Sequence, residues 1–97
     1  MYAFEIQDKS GRSIYLPSER WKHINREHPE VAPYFDDIQE CLKRPLKITK
    51  NQFDENVWHY FKYIKERKPS AKHLKVIVKY LNNHGFIITV YFAKTIK

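Results

Sequence analysis

Two histidines in the first third of the chain, His23 and His28, stand five residues apart. Imidazole titrates near neutral pH and is the usual general acid or base. Glu27 follows His23 by one helical turn and can orient or charge its ring. In the second half, Lys75 and Lys79 recur within HLKVIVKYL, and Thr89 and Tyr91 within GFIITVYF. Cations set beside hydroxyl donors are what a phosphate group needs. Between these regions, NVWHYFKYIK alternates Tyr60 and Lys62 with His59, Phe61 and Tyr63. Rings beside cations suit base stacking next to phosphate contacts. Each feature also has an ordinary use: lysine is common on exposed strand faces and aromatics favour strands. His28, closing a helix, is equally natural as a cation or a satisfied core imidazole.

Other chemistries lack their residues. The histidines have no cysteine partner and no HExxH spacing, so neither metal nor cofactor is expected. Two glycines, Gly11 and Gly85, cannot build a phosphate-cradling loop. No nucleophile-elbow motif supports a serine hydrolase. Cys41 lies among apolar helix residues and reads as core rather than nucleophile. What remains is a metal-free basic site, and that fits RNA cleavage. RNA carries its own nucleophile, the 2′-hydroxyl. A protein need only move two protons and stabilise negative charge on phosphorus.

The elements that must position these groups follow from periodicity. Tyr2–Ile6 and Ser13–Leu16 read as short strands around an Asp8–Gly11 turn. Ser18 is a candidate N-cap for a helix with Trp21, Ile24 and His28 on one face, stopped by Pro29. A second helix begins near Pro33, with Phe35, Ile38 and Leu42 as its apolar stripe. The period then changes to two, over Leu46–Lys50, Val57–Lys65, His73–Leu81 and Phe86–Phe92. Residues 66–71 form a polar loop, and Gly85 is predicted to supply a positive φ in the last hairpin. There, Leu74, Val76, Val78 and Tyr80 match Phe86, Ile88, Val90 and Phe92 on one apolar face. The opposite face carries His73, Lys75, Ile77 and Lys79 beside Ile87, Thr89 and Tyr91. Tyr60 and Lys62 extend this basic patch if Phe61 and Tyr63 turn inward. The predicted architecture is α+β: two helices on one face of a roughly four-stranded antiparallel sheet.

Composition agrees with one small domain. The 97 residues carry a net charge of +7, unevenly placed. Residues 1–56 hold 9 basic and 10 acidic side chains, whereas 57–97 hold 9 basic and 1 acidic. Such segregation points to a polyanionic partner, with nucleic acid foremost. A 42% hydrophobic content is too rich for disorder, and one cysteine cannot form an internal disulfide. No apolar run reaches membrane-spanning length and no signal pattern opens the chain, so a cytoplasmic, membrane-free location is expected.

Trp21-Lys22-His23-Ile24 followed by His28-Pro29-Glu30 resembles the helix signature of a bacterial and phage nuclease family. NVWHYFK, LKVIVKYL and GFIITVY, ending in Ile96-Lys97, resemble its later blocks. That family is the phage- and toxin-associated barnase–EndoU–colicin–RelE-like group, the BECR fold, and the likeness runs from Arg20 onward. It implies a RelE/barnase-like, metal-independent, RNA-directed nuclease, often a toxin. Matched block by block, it implies functional roles for His23, His28, Tyr60, Lys62, Thr89 and Tyr91. A departure is Ala93, where similar sequences often carry a hydroxyl.

The expected function is an endoribonuclease acting by 2′-hydroxyl transesterification, a toxin of a toxin–antitoxin pair or a phage-derived effector. His23, His28, Lys62, Thr89 and Tyr91 form the expected catalytic set. Tyr60, Lys75, Lys79 and Lys94 form the expected RNA-binding set. An acidic antitoxin protein is the expected partner. The rival expectation is a catalytically silent nucleic-acid- or partner-binding module on the same fold.

Overall fold

Runs of period two become strands and runs of period 3.6 become helices. In chain order they are β1 (Tyr2–Gln7), β2 (Ser13–Pro17), α1 (Ser18–Glu27), a 3₁₀ segment (Pro29–Tyr34), α2 (Phe35–Lys43), β3 (Lys47–Lys50), β4 (Val57–Tyr63), β5 (His73–Leu81) and β6 (His84–Ala93). The computed structural model describes residues 1–67 and 71–94. The Ile96-Lys97 block and the centre of the 66–71 loop lie outside the described residues.

The α+β class holds, but the sheet is larger than expected and not purely antiparallel. Six strands lie in the order β1-β2-β6-β5-β4-β3. All neighbours are antiparallel except β2 and β6, which pair in parallel through Ser13–Tyr15 and His84–Phe86. Parallel pairing needs a long connection. Two helices and three strands supply one here, so the N-terminal hairpin can dock on β6. The short β3 closes the opposite edge.

Helix termini also depart from expectation. Ser18 is the first residue of α1 rather than its N-cap; Pro17 occupies that position and no side chain caps the end. His28 sits at φ −134°, ψ 69°, out of the α region as a residue before proline should be. Pro33 falls inside the 3₁₀ segment, and α2 begins at Phe35.

Both helices cover one face of the sheet. Ile24, Ile38, Cys41 and Leu42 are fully buried there against Leu74, Val76 and Val78. Trp21 meets Phe35 at 5.2 Å between ring centroids, and Phe35 meets Phe4 at 5.5 Å, which ties α1, α2 and β1 together. Burying such a side chain contributes about 1.5–3 kcal/mol. Among the described residues, no helix is long and apolar enough to cross a membrane.

The last hairpin carries a correction with consequences. Ile77 pairs with Thr89 but Val78 pairs with Ile87, so Ile88 is an extra, bulged residue in β6. A bulge reverses the alternation beyond it. Ile87, not Ile88, therefore joins Val90 and Phe92 on the helix-covered face, while Phe86 turns to the other. Gly85 likewise has a different role from the one expected. The positive φ belongs to Asn82, at 54°. Gly85 lies inside β6, opposite both Tyr80 and Ile14. A Cβ there would come within 2.8 Å of the Lys79 carbonyl oxygen.

Candidate nucleic-acid interface

The face of the sheet away from the helices is built by register. Lys47, Phe61, Lys75 and Tyr91 are successive cross-strand partners over β3, β4, β5 and β6. The adjoining row is Thr49, His59, Ile77 and Thr89. Cross-strand partners on one face have Cβ atoms about 4.5–5.5 Å apart, so these rows are contiguous.

His28 completes the first row from outside the sheet. The turn after α1 brings its ring over Tyr91, with centroids 5.6 Å apart and planes inclined by 30°. On the other side, Lys75 Nζ lies 5.4 Å from the Tyr91 ring and 5.6 Å from that of Phe61. Cation–ring contacts of this length are attractive and hold the ammonium between the two rings. Among the described residues Lys75 makes no ion pair. His28 Nδ1 lies 3.7 Å from Glu30 Oε2, a carboxylate able to orient the imidazole.

His59 occupies the second row. Its Nε2 lies 3.4 Å from Asn51 Nδ2. Burial, and then the charge of Lys75, hold its pKa below imidazole's usual 6.5. The ring is therefore neutral at neutral pH and able to accept a proton. Thr49, Lys50, Asn51, Gln52 and Phe53 line a cavity of about 350 Å³ beside it. Thr49 Oγ1 is buried there without a hydrogen-bond partner among the described residues.

The structure gathers His28, Lys75, Thr89 and Tyr91 on this face, and Lys79 with them. Lys79 is engaged, its Nζ 2.5 Å from Asp54 Oδ2 in the β3–β4 loop. Asp54 is held below the usual carboxylate range by that bond and by the Asn56 backbone N–H. Three other expected site residues are elsewhere. Tyr60 and Lys62 pair with Val76 and Leu74 and so turn to the helix-covered face, the reverse of the register the basic-patch expectation needed. Tyr60 is fully buried and offers RNA no surface. Lys62 faces Asp37 of α2 at 4.0 Å. The inward set is Trp58, Tyr60 and Lys62, where Tyr60 meets Asp8 and Lys62 meets Asp37; Phe61, on the other face, is fully buried too. His23 lies on the exposed side of α1, its Nε2 3.2 Å from Glu27 Oε1. Thus His23, Lys62 and Thr89 do not share a cleft. Lys94, just beyond β6, is exposed.

Sequence reasoning passed over His59 as a site residue. Its signal was present, since it alternates with Phe61 beside a lysine-rich strand, but alternation alone does not say which set faces the core. From the sequence, Asp8 has only the character of a turn residue. It is instead a buried carboxylate at the end of β1. Its Oδ1 accepts from the Ser10 N–H and hydroxyl and from the Arg12 N–H; its Oδ2 accepts from the Tyr60 and Tyr80 hydroxyls. Among the described residues, no group of three or more His, Cys, Asp or Glu side chains is arranged to hold a metal ion. No family model, curated protein or solved structure matches this chain.

Proposed function

We propose that this protein is a metal-independent endoribonuclease whose site is the open sheet face. The observation that carries the reading is the stack of His28 on Tyr91 with the Lys75 ammonium 5.4 Å from the same ring. A proton carrier, a hydroxyl and a cation meet there, the last two from residues 57–97, the stretch that carries the chain's excess positive charge. In the reaction the RNA 2′-oxygen bonds to the adjacent phosphorus and the bond to the 5′-oxygen breaks, leaving a 2′,3′-cyclic phosphate. His59, neutral at pH 7, accepts the 2′-hydroxyl proton. His28 delivers one to the leaving 5′-oxygen. Lys75, Thr89 and Tyr91 donate to the phosphate oxygens as charge builds. His23, Lys62 and Tyr60 take no part. The BECR resemblance supports the same reading, and so do helices confined to one face of the sheet. The setting that fits is a cytoplasmic toxin or phage-derived effector, its basic face covered by an acidic antitoxin when idle.

The test is incubation of purified protein with RNA in EDTA, followed by analysis of product ends. Cyclic phosphate ends are expected, with His28→Ala slower by about 10²–10⁴-fold. Cleavage by wild type no faster than by His28→Ala, on naked RNA and on translating ribosomes, would sink the proposal. One observation favours a second reading, a binding module without catalysis: Lys62 lies on the other face and Lys79 is held by Asp54, which leaves Lys75 to stabilise a phosphorane. Salt-sensitive RNA binding without products would select it.

A further inference from the structure

We infer that Tyr2, Tyr15, His84 and Phe86 form a stacking platform for unpaired bases, so that the RNA taken by this face is single-stranded. The inference rests on the RNA reading above and adds the substrate class to it. Tyr15 is the hub. Its ring centroid lies 4.9 Å from that of Tyr2, 5.8 Å from His84 and 6.2 Å from Phe86. The planes are inclined by 35°, 22° and 31°. Ring pairs packed under the helices are steeper, at 67° for Phe4–Phe35 and 77° for Tyr34–Phe92. Edge-on packing fills a core, whereas near-parallel rings align their π faces, as a stack of bases does.

These rings are not core. Tyr2 is 52% exposed and His84 is exposed, while Ile14 and Leu16, flanking Tyr15, are fully buried on the opposite face. Phe86 is on this face only because of the Ile88 bulge. It pairs with Tyr15 on one side and Lys79 on the other, so the platform continues directly into the lysine-bearing rows. Phe86 and Tyr91 are five residues apart on β6, at most about 17 Å. One short strand of RNA can therefore reach both. Charge divides the two regions. Glu5, which pairs with Tyr15, is the carboxylate beside the platform, and the cations lie further along the face. Bases belong over the rings and phosphates over Lys75. A duplex keeps its bases stacked internally and cannot use the rings.

The test compares a fluorescent, unstructured RNA oligonucleotide with a duplex of equal length, by anisotropy across a salt series. Wild type is expected to prefer the single strand. Tyr15→Leu, which keeps an apolar side chain at that position, should weaken single-strand binding about tenfold and leave duplex binding unchanged. Its salt dependence should stay as in wild type, whereas Lys75→Ala should lower the salt slope by about one. Tyr2→Leu, at the sheet edge, should shift binding in the same direction as Tyr15→Leu and guards against a folding defect at the hub. If both leucine variants bind the single strand like wild type while Lys75→Ala weakens it, the platform falls and the phosphate site stands. Equal wild-type affinity for strand and duplex also overturns it. If wild type binds neither, the RNA reading falls and takes the platform with it.

Discussion

The Asp8 carboxylate is charged and buried and makes no ion pair among the described residues, yet it is fully served by hydrogen bonds. Burial by itself would raise its pKa. Bonds from Ser10, Tyr80, the Arg12 backbone and Tyr60 outweigh that and hold it below the usual carboxylate range. The same burial pushes both tyrosine hydroxyls well above the ordinary phenol value, so they remain donors. Arg12 caps the cluster by lying 3.5 Å from the Tyr80 ring centroid and 4.7 Å from that of Trp58. Tyr60 is thus a structural donor that links β4 to the β1–β2 turn. Tyr60→Phe removes one donor to a charged acceptor. The unfolding free energy should fall by about 1.5–3 kcal/mol in urea titration. RNA affinity should stay unchanged, the opposite of what a ligand-contacting tyrosine would give.

Strand β6 is the element that organises the molecule. Its first residues run between β2 and β5, and the gap is narrow because Gly85 has no side chain. Ile14 Cδ1 and a Tyr80 ring carbon would lie 3.1 and 3.0 Å from a Cβ there, besides the Lys79 carbonyl. Gly85→Ala should destabilise the fold by about 1–3 kcal/mol through overpacking, read as a lower thermal midpoint. Because backbone sits on one side, the neighbours cannot all rotate away. The Ile88 bulge, three residues on, decides which side chains reach each face. Without it Phe86 would enter the core and the open face would lose its link between Tyr15 and Lys79.

At the scale of the whole molecule, strand register sets Lys47, Lys75 and Lys79 on one sheet face, and His59 sits among them. Its folded pKa lies below 6.5, lowered by burial and by Lys75. The unfolded chain therefore takes up a proton more readily than the folded one. The penalty is absent above about pH 6.5, grows as pH falls through that value, and is complete below the folded pKa. The urea midpoint of wild type should fall between pH 7.5 and pH 5.5 by more than that of His59→Gln. Equal falls would mean that protonating His59 costs the fold nothing. Cys41 shows the converse case on the helix side. It is fully buried, and burial pushes its thiol up to about 12. It belongs to the core, where it is shielded from the reactivity of an exposed thiolate.

Periodicity and composition alone determined the α+β class, both helices, the six strand-forming segments and the location of the excess charge. Those depend on local side-chain alternation and on counting, which a linear string carries in full. They also determined that Lys75, Lys79, Thr89 and Tyr91 share a face, because β5 alternates without interruption and Thr89 and Tyr91 lie beyond the bulge. Tertiary structure decided the rest. An alternating strand such as β4 has two equivalent sets until a neighbour covers one, so only packing against α2 and Asp8 could turn Tyr60 and Lys62 inward. The parallel β2–β6 pair joins residues some seventy positions apart, and the Ile88 bulge arises from pairing rather than from any local signal. Those two features bring Tyr15 beside Phe86. His28 reaches Tyr91 because Pro29 bends the chain at the end of α1, a turn visible in the sequence whose destination was not.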